Sequence, residues 1–84
     1  MIMQQEWSIN GKFAVLADGR RVHYTRFLPA LNAVRMWGIT LDRALSELYG
    51  GEDLTVEQPF KEGPKLAFEY TRLWNEMKHQ HEVA

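Results

Sequence analysis

The fold is decided by residues 9–24, which read INGKFAVLADGRRVHY. Asn10-Gly11 and Asp18-Gly19 interrupt the apolar runs of this stretch, and both dipeptides tolerate the positive φ angles of tight hairpin turns. Two consecutive hairpins predict a three-stranded antiparallel β-meander, which we place over residues of about 5–26.

The register of the second hairpin follows from the length of its turn. A two-residue turn at Asp18-Gly19 pairs apolar residues of the second strand with apolar residues of the third. The predicted inner face then consists of four side chains: Phe13, Val15, Val22 and Tyr24. Arg21 and His23 lie on the opposite face.

The register of the first hairpin is open between two arrangements. A two-residue turn at Asn10-Gly11 pairs Trp7 with Ala14 and leaves Trp7 and Leu16 together on an exposed face. A three-residue loop pairs Trp7 with Phe13 instead. We favour the second arrangement because it buries a large aromatic side chain, and a slip of one residue would turn every side chain to the other face.

After the strands, apolar residues recur at helical spacing, which predicts helices over residues 29–37, 41–49 and 64–79. Pro29 can begin the first helix, Gly38 can end it in a left-handed conformation, and Thr40 can cap the second. The predicted apolar stripes are Leu31, Val34 and Trp37; then Leu41, Ala44, Leu45, Leu48 and Tyr49; then Leu66, Tyr70, Leu73, Trp74 and Met77. Residues 50–63 form an acidic loop.

Residues 1–84 are therefore expected to form a single α+β domain: an N-terminal three-stranded antiparallel β-meander, then two short helices and a longer C-terminal helix packed on one sheet face. Apolar residues make up 45% and charged residues 25% of the chain, the balance of an ordinary globular protein. No apolar run approaches the roughly 20 residues that cross a bilayer, and the first residues lack the pattern of a signal peptide. Because cysteine is absent, a reducing cytoplasm is the expected location.

The sequence shows no signature of catalysis, cofactor binding or metal binding. It has no activated nucleophile, no paired carboxylates in apolar surroundings and no phosphate-binding glycine loop. His79 and His81 point about 200° apart on a helix, whereas helical ligand pairs need a spacing of three or four residues. His23 is isolated in sequence, and we expect three surface histidines and no enzyme activity.

Two features raise nucleic-acid binding as an alternative. The helices around Gly38 resemble a helix-turn-helix in outline over residues 29–49, which would place Arg43 in a major groove. Val34 and Glu47 depart from that pattern. The predicted strand face with Arg20, Arg21 and His23 is the second candidate, because cations beside aromatic rings suit phosphates and stacked bases. The net charge of −1 argues against both.

Protein binding is the function that we favour from the sequence. Glu52, Asp53 and Glu57 would steer the chain to a basic groove, and Phe60 or Phe68 would be the apolar anchor. In size and acidic character the chain resembles small accessory proteins of phages and other mobile elements, including anti-CRISPR inhibitors. We expect an inhibitor, adaptor or assembly factor, with a homodimer possible through the edge strand or the last helix.

Overall fold

The computed structural model describes residues 7–60 and 63–81 and contains three strands followed by three helices. The strands are β1 (Trp7–Asn10), β2 (Phe13–Leu16) and β3 (Arg21–His23), which form one antiparallel sheet in the order β1-β2-β3. The helices are α1 (Tyr24–Trp37), α2 (Leu41–Tyr49) and α3 (Pro64–His81). The predicted α+β architecture is confirmed. The predicted start of the first strand, at residues 5–6, lies outside the described residues.

Both predicted registers of the first hairpin are wrong. The turn consists of Gly11 and Lys12, so that Asn10 pairs with Phe13 and Trp7 pairs with Leu16. Gly11 takes a φ of 64°, and the next residue has a negative φ, which is the pattern of a two-residue turn with glycine at its first central position. Gly11 is therefore the first central residue of the turn, whereas a two-residue turn at Asn10-Gly11 would make it the second.

The second hairpin also differs from its predicted register. Residues 17–20 connect the two strands, and the Leu16 N–H donates a hydrogen bond of 2.8 Å to the Arg20 carbonyl, which places Leu16 opposite Arg20. Val15 consequently pairs with Arg21 and not with Val22. The buried face of the sheet consists of Ile9, Ala14, Leu16 and Val22, while Phe13 and Val15 lie on the other face. The pairing is shifted by one residue from the predicted register, and this shift turns the predicted inner side chains of β2 to the other face.

Helix α1 begins at Tyr24, five residues before the predicted start at Pro29. His23 is the N-cap, because its Nδ1 accepts a hydrogen bond of 3.3 Å from the Thr25 N–H. Pro29 lies inside the helix. The buried apolar residues of α1 are Phe27, Leu28, Ala30 and Ala33. The predicted stripe is wrong at Trp37, whose side chain is 62% exposed.

The predicted ends of the α1–α2 connection are confirmed. Gly38 is left-handed, with a φ of 66°, and its N–H donates to the Val34 carbonyl. Thr40 caps α2 by accepting a hydrogen bond of 3.1 Å from the Arg43 N–H. The buried residues of α2, which are Ala44, Leu45 and Tyr49, all belong to its predicted stripe. Among the residues described, no helix is long and apolar enough to cross a membrane.

Trp74 connects α3 to the rest of the domain. Its side chain is 2% exposed and packs edge-on against Phe27, with ring centroids 6.2 Å apart. It also stacks on Tyr24 of α1 at 5.6 Å. The indole Nε1–H donates a hydrogen bond of 3.1 Å to the carbonyl of Gly11, in the turn between β1 and β2. One side chain therefore links the helix, the hairpin turn and the start of α1.

We predict that Trp74→Ala destabilises the domain by about 3–5 kcal/mol, the usual loss for truncating a buried tryptophan. Trp74→Phe keeps most of the packing but removes the bond to Gly11, and it should cost about 1–2 kcal/mol. Chemical denaturation followed by far-UV circular dichroism measures both. The neighbouring Leu73, on the more exposed side of α3, provides the control Leu73→Ala. Equal losses for Trp74→Ala and this control would contradict the role given to Trp74.

Candidate functional site

The acidic loop is held to α1 by the buried Arg26. Its Nη1 lies 2.9 Å from the Glu52 carboxylate, and its Nε donates a hydrogen bond of 2.7 Å to the Val56 carbonyl. Its guanidinium lies 5.0 Å from the ring centroid of Tyr49, whose hydroxyl donates to the Arg26 carbonyl. The Arg26 side chain is only 7% exposed. Sequence reasoning missed this role because it placed Arg26 at the end of a strand.

Backbone hydrogen bonds hold the same loop at two further points. The His23 N–H donates to the Leu54 carbonyl at 2.8 Å. The Gln58 N–H donates to the Thr25 hydroxyl at 3.0 Å. This hydroxyl lies 2.8 Å from His23 Nδ1, so the cap of α1 and the attachment of the loop share one small network. The described part of the loop is therefore ordered by the first turn of α1.

The predicted acidic residues have different surroundings. Glu52 is committed to Arg26, although its side chain is 59% exposed. Asp53 accepts hydrogen bonds from the N–H and the hydroxyl of Thr55, at 3.0 and 2.7 Å, and these bonds lower the pKa of its carboxyl group. Glu57 is exposed and makes no ion pair with any residue described. Glu57 is thus the carboxylate of the three that remains available to a partner.

Glu57 and Phe60 line one cleft between the loop and α3, which we call the loop–α3 cleft. Its volume is about 370 Å³. The other lining residues are Tyr24, Thr25, Pro59, Gly63, Pro64, Ala67 and Thr71. The Phe60 ring lies 4.8 Å from that of Tyr70 and 6.4 Å from that of Tyr24. Residues 61–62, between two of the lining segments, lie outside the described part.

Phe68 is 71% exposed on α3 and follows Ala67 of the cleft lining. The structure therefore brings two of the five predicted partner-binding residues, Glu57 and Phe60, into one cleft, and Phe68 lies on α3 outside the lining of that cleft. Sequence reasoning missed the contribution of Tyr24 and Thr25 to this cleft. The local signal is weak: the alternation of apolar and polar residues stops at Thr25-Arg26, whereas histidine is not a usual N-cap residue.

Two cations of the alternative nucleic-acid site, Arg20 and Arg43, are paired with carboxylates. Arg20 is paired with Asp18 at 2.7 Å and with Asp42 at 2.6 Å. Arg43 pairs with Glu47 at 2.7 Å. Arg21 is exposed and its guanidinium lies 4.6 Å from the ring centroid of Phe13.

His23, the fourth member of that site, is buried with 7% exposure, and the prediction of a surface position for it is wrong. His23 pairs with Phe13 on the outer face of the sheet, with ring centroids 5.4 Å apart, and the loop and the first turn of α1 cover it there. Burial lowers the pKa of His23, and Lys12 and Arg26 add to that effect against the opposing charge of Glu57. His79 is exposed, and the side chain of His81 lies outside the described residues. In the described part of the chain, no group of three acidic, histidine or cysteine residues is placed to hold a metal ion.

A second exposed apolar site was not predicted. Met36 and Trp37, in the last turn of α1, are 66% and 62% exposed. The helical stripe of the sequence had assigned Trp37 to the core, but the burial of Ala30 and Ala33 turns the inner face of α1 away from it.

Comparison of the chain with protein-family models, with curated proteins and with solved structures gives no match.

We predict that Glu52→Gln lowers the free energy of unfolding by about 1–2 kcal/mol, since it leaves the buried Arg26 cation with one fewer anionic partner and the exposed side of the pair limits the loss. The control Glu47→Gln removes an exposed pair on α2 and should cost about 0.5 kcal/mol or less. Denaturant unfolding measures both. Equal effects would show that Arg26 does not depend on Glu52.

We also predict that the domain loses stability as pH falls below about 6.5, the ordinary pKa of histidine. The folded pKa of His23 is lowered, so the unfolded chain binds a proton first, and the loss continues until the lowered pKa is reached. His23→Asn keeps a capping acceptor without a titrating ring and should abolish this loss. Thermal unfolding between pH 7.5 and 5 tests it, with the exposed His79→Gln as the control that keeps the wild-type pH dependence.

Proposed function

We propose that this chain is a non-catalytic protein-binding domain. The observation that carries the proposal is the 71% exposure of Phe68 beside a cleft lined by Phe60 and Glu57. Large aromatic side chains dominate the energetics of protein interfaces when a partner removes them from water. An acidic group next to such an anchor selects partners with a basic surface.

The side chains that line the loop–α3 cleft suit the binding of a partner and not catalysis. Its side chains are a carboxylate, aromatic rings, prolines and threonine hydroxyls. The Thr25 hydroxyl lies 2.8 Å from His23 Nδ1, but both groups are buried and engaged structurally, since the hydroxyl accepts from the Gln58 N–H and the imidazole caps α1. We therefore assign the chain to inhibitors, adaptors or assembly factors that cover a basic surface of another protein. Its resemblance in size and charge to accessory proteins of phages and mobile elements fits that role. The cysteine-free composition fits a cytoplasmic partner.

Capture from the lysate of the native host tests the proposal. The tagged full chain should retain a protein in stoichiometric amount, and nuclease treatment should not release it. Phe68→Ala should weaken this association about thirtyfold, the effect of removing a residue worth about 2 kcal/mol in an interface.

Trp37→Ala is the matched control because Trp37 is also exposed and aromatic but lies on α1. It should leave the association unchanged. A reversed result, with Trp37 required and Phe68 dispensable, would move the contact surface to the end of α1. Retention of nucleic acid alone, lost with nuclease, would overturn protein binding. Retention of only the same chain would identify self-association as the interaction.

A further inference from the structure

Glu57 stands apart from most of the acidic side chains that the structure describes. Five others lie 2.6–3.5 Å from an arginine nitrogen: Asp18, Asp42, Glu47, Glu52 and Glu76. Asp53 is bonded by Thr55. Glu57 and Glu69 make no ion pair in the described part of the chain, and of these two only Glu57 lines a cleft. The cleft therefore contains an anionic group without an internal counter-charge from the described residues.

Apart from Glu57, Gly63 and two threonines, Thr25 and Thr71, the walls of the loop–α3 cleft are aromatic or aliphatic. Tyr24 and Phe60 contribute rings, and Pro59, Pro64 and Ala67 contribute aliphatic surface. Its volume of about 370 Å³ is at the small end of the range for ligand sites, about 300–1,000 Å³, and suits one long side chain better than a large cofactor. Aromatic and aliphatic walls favour a side chain with an apolar stem and a cationic head, since the stem packs and the head meets the rings and the carboxylate.

We propose that the loop–α3 cleft receives a basic side chain of the partner protein, with arginine preferred over lysine. This inference rests on the proposed function and specifies the type of side chain that the partner contributes. Arginine is preferred because its planar guanidinium stacks on aromatic rings and donates to a carboxylate at the same time, whereas the lysine ammonium is a more strongly hydrated point charge. Glu57 is the counter-ion, Phe60 is the aromatic wall, and Phe68 on the neighbouring part of α3 contacts the surrounding partner surface.

The cleft is tested without knowledge of the partner by an NMR titration of the full chain with Nα-acetyl-arginine amide. The probe should shift the amide resonances of Phe60, Gly63 and Ala67 at millimolar concentrations. Nα-acetyl-citrulline amide has nearly the same shape without the charge, and it should produce about tenfold weaker binding or none. The affinity for Nα-acetyl-lysine amide should lie between the affinities for the arginine and citrulline probes.

Glu57→Gln should weaken the arginine probe about tenfold, and Glu69→Gln, an exposed carboxylate on α3 outside the cleft, should leave it unchanged. The amide spectrum of each variant shows whether it remains folded. Equal binding of the citrulline probe, an unchanged affinity in Glu57→Gln, or shifts centred away from the cleft would each overturn the proposal.

The partner itself separates this inference from the proposed function. Glu57→Lys should weaken the captured protein and reduce the salt dependence of the association, because it replaces an attraction with a repulsion. A retained protein that requires Phe68 but tolerates Glu57→Lys would leave the protein-binding function standing and overturn the assignment of a basic side chain to the cleft. A lysate that yields no protein overturns the function whatever the probes show.

Discussion

The contact of Trp74 with Gly11, Tyr24 and Phe27 is the interaction on which the arrangement of the domain depends. A three-stranded sheet with strands of three or four residues cannot bury enough apolar surface by itself, so the helices must cover it. Helix α3 follows the loop and would have no fixed position without a buried anchor. Trp74 provides both buried apolar area and a directed hydrogen bond. The hydrogen bond to Gly11 sets the position of α3 relative to the hairpin turn.

The position of α3 in turn creates the loop–α3 cleft. One wall comes from Ala67 and Thr71, which precede Trp74 on the same helix, and the other comes from the loop that Arg26 and Thr25 attach to α1. Buried polar groups of α1 therefore hold the loop in place next to the proposed contact face. Arg26 binds Glu52 and Thr55 binds Asp53, whereas Glu57 lines the cleft without an ion pair to any described residue, so the unpaired charge of the loop is smaller than its acidic composition indicates.

The proposed contact face is separate from the packed core, as the proposed function of covering a partner's surface requires. The core is formed by the inner sheet face, the part of α1 from Phe27 to Ala33, the inner side of α2 and Trp74 of α3. The candidate face is formed by the loop and the outer side of α3, where substitutions such as a change of Phe68 remove little internal packing. Such a face can change its specificity while the core keeps the fold.

The sequence by itself determined the order of elements, the second and third helices and the caps at Gly38 and Thr40, because turn dipeptides, helix caps and helical periodicity act over a few residues. Tertiary structure decided the registers of both hairpins, the early start of α1 at His23 and the exposure of Trp37. The physical reason is that turns of similar composition can differ in length or position by one or two residues. Packing of the strands against α1 and α3 selects among these turns. The cleft depends on the approach of Thr71 to Tyr24. These two residues are 47 positions apart in the sequence, so no local pattern encodes their contact.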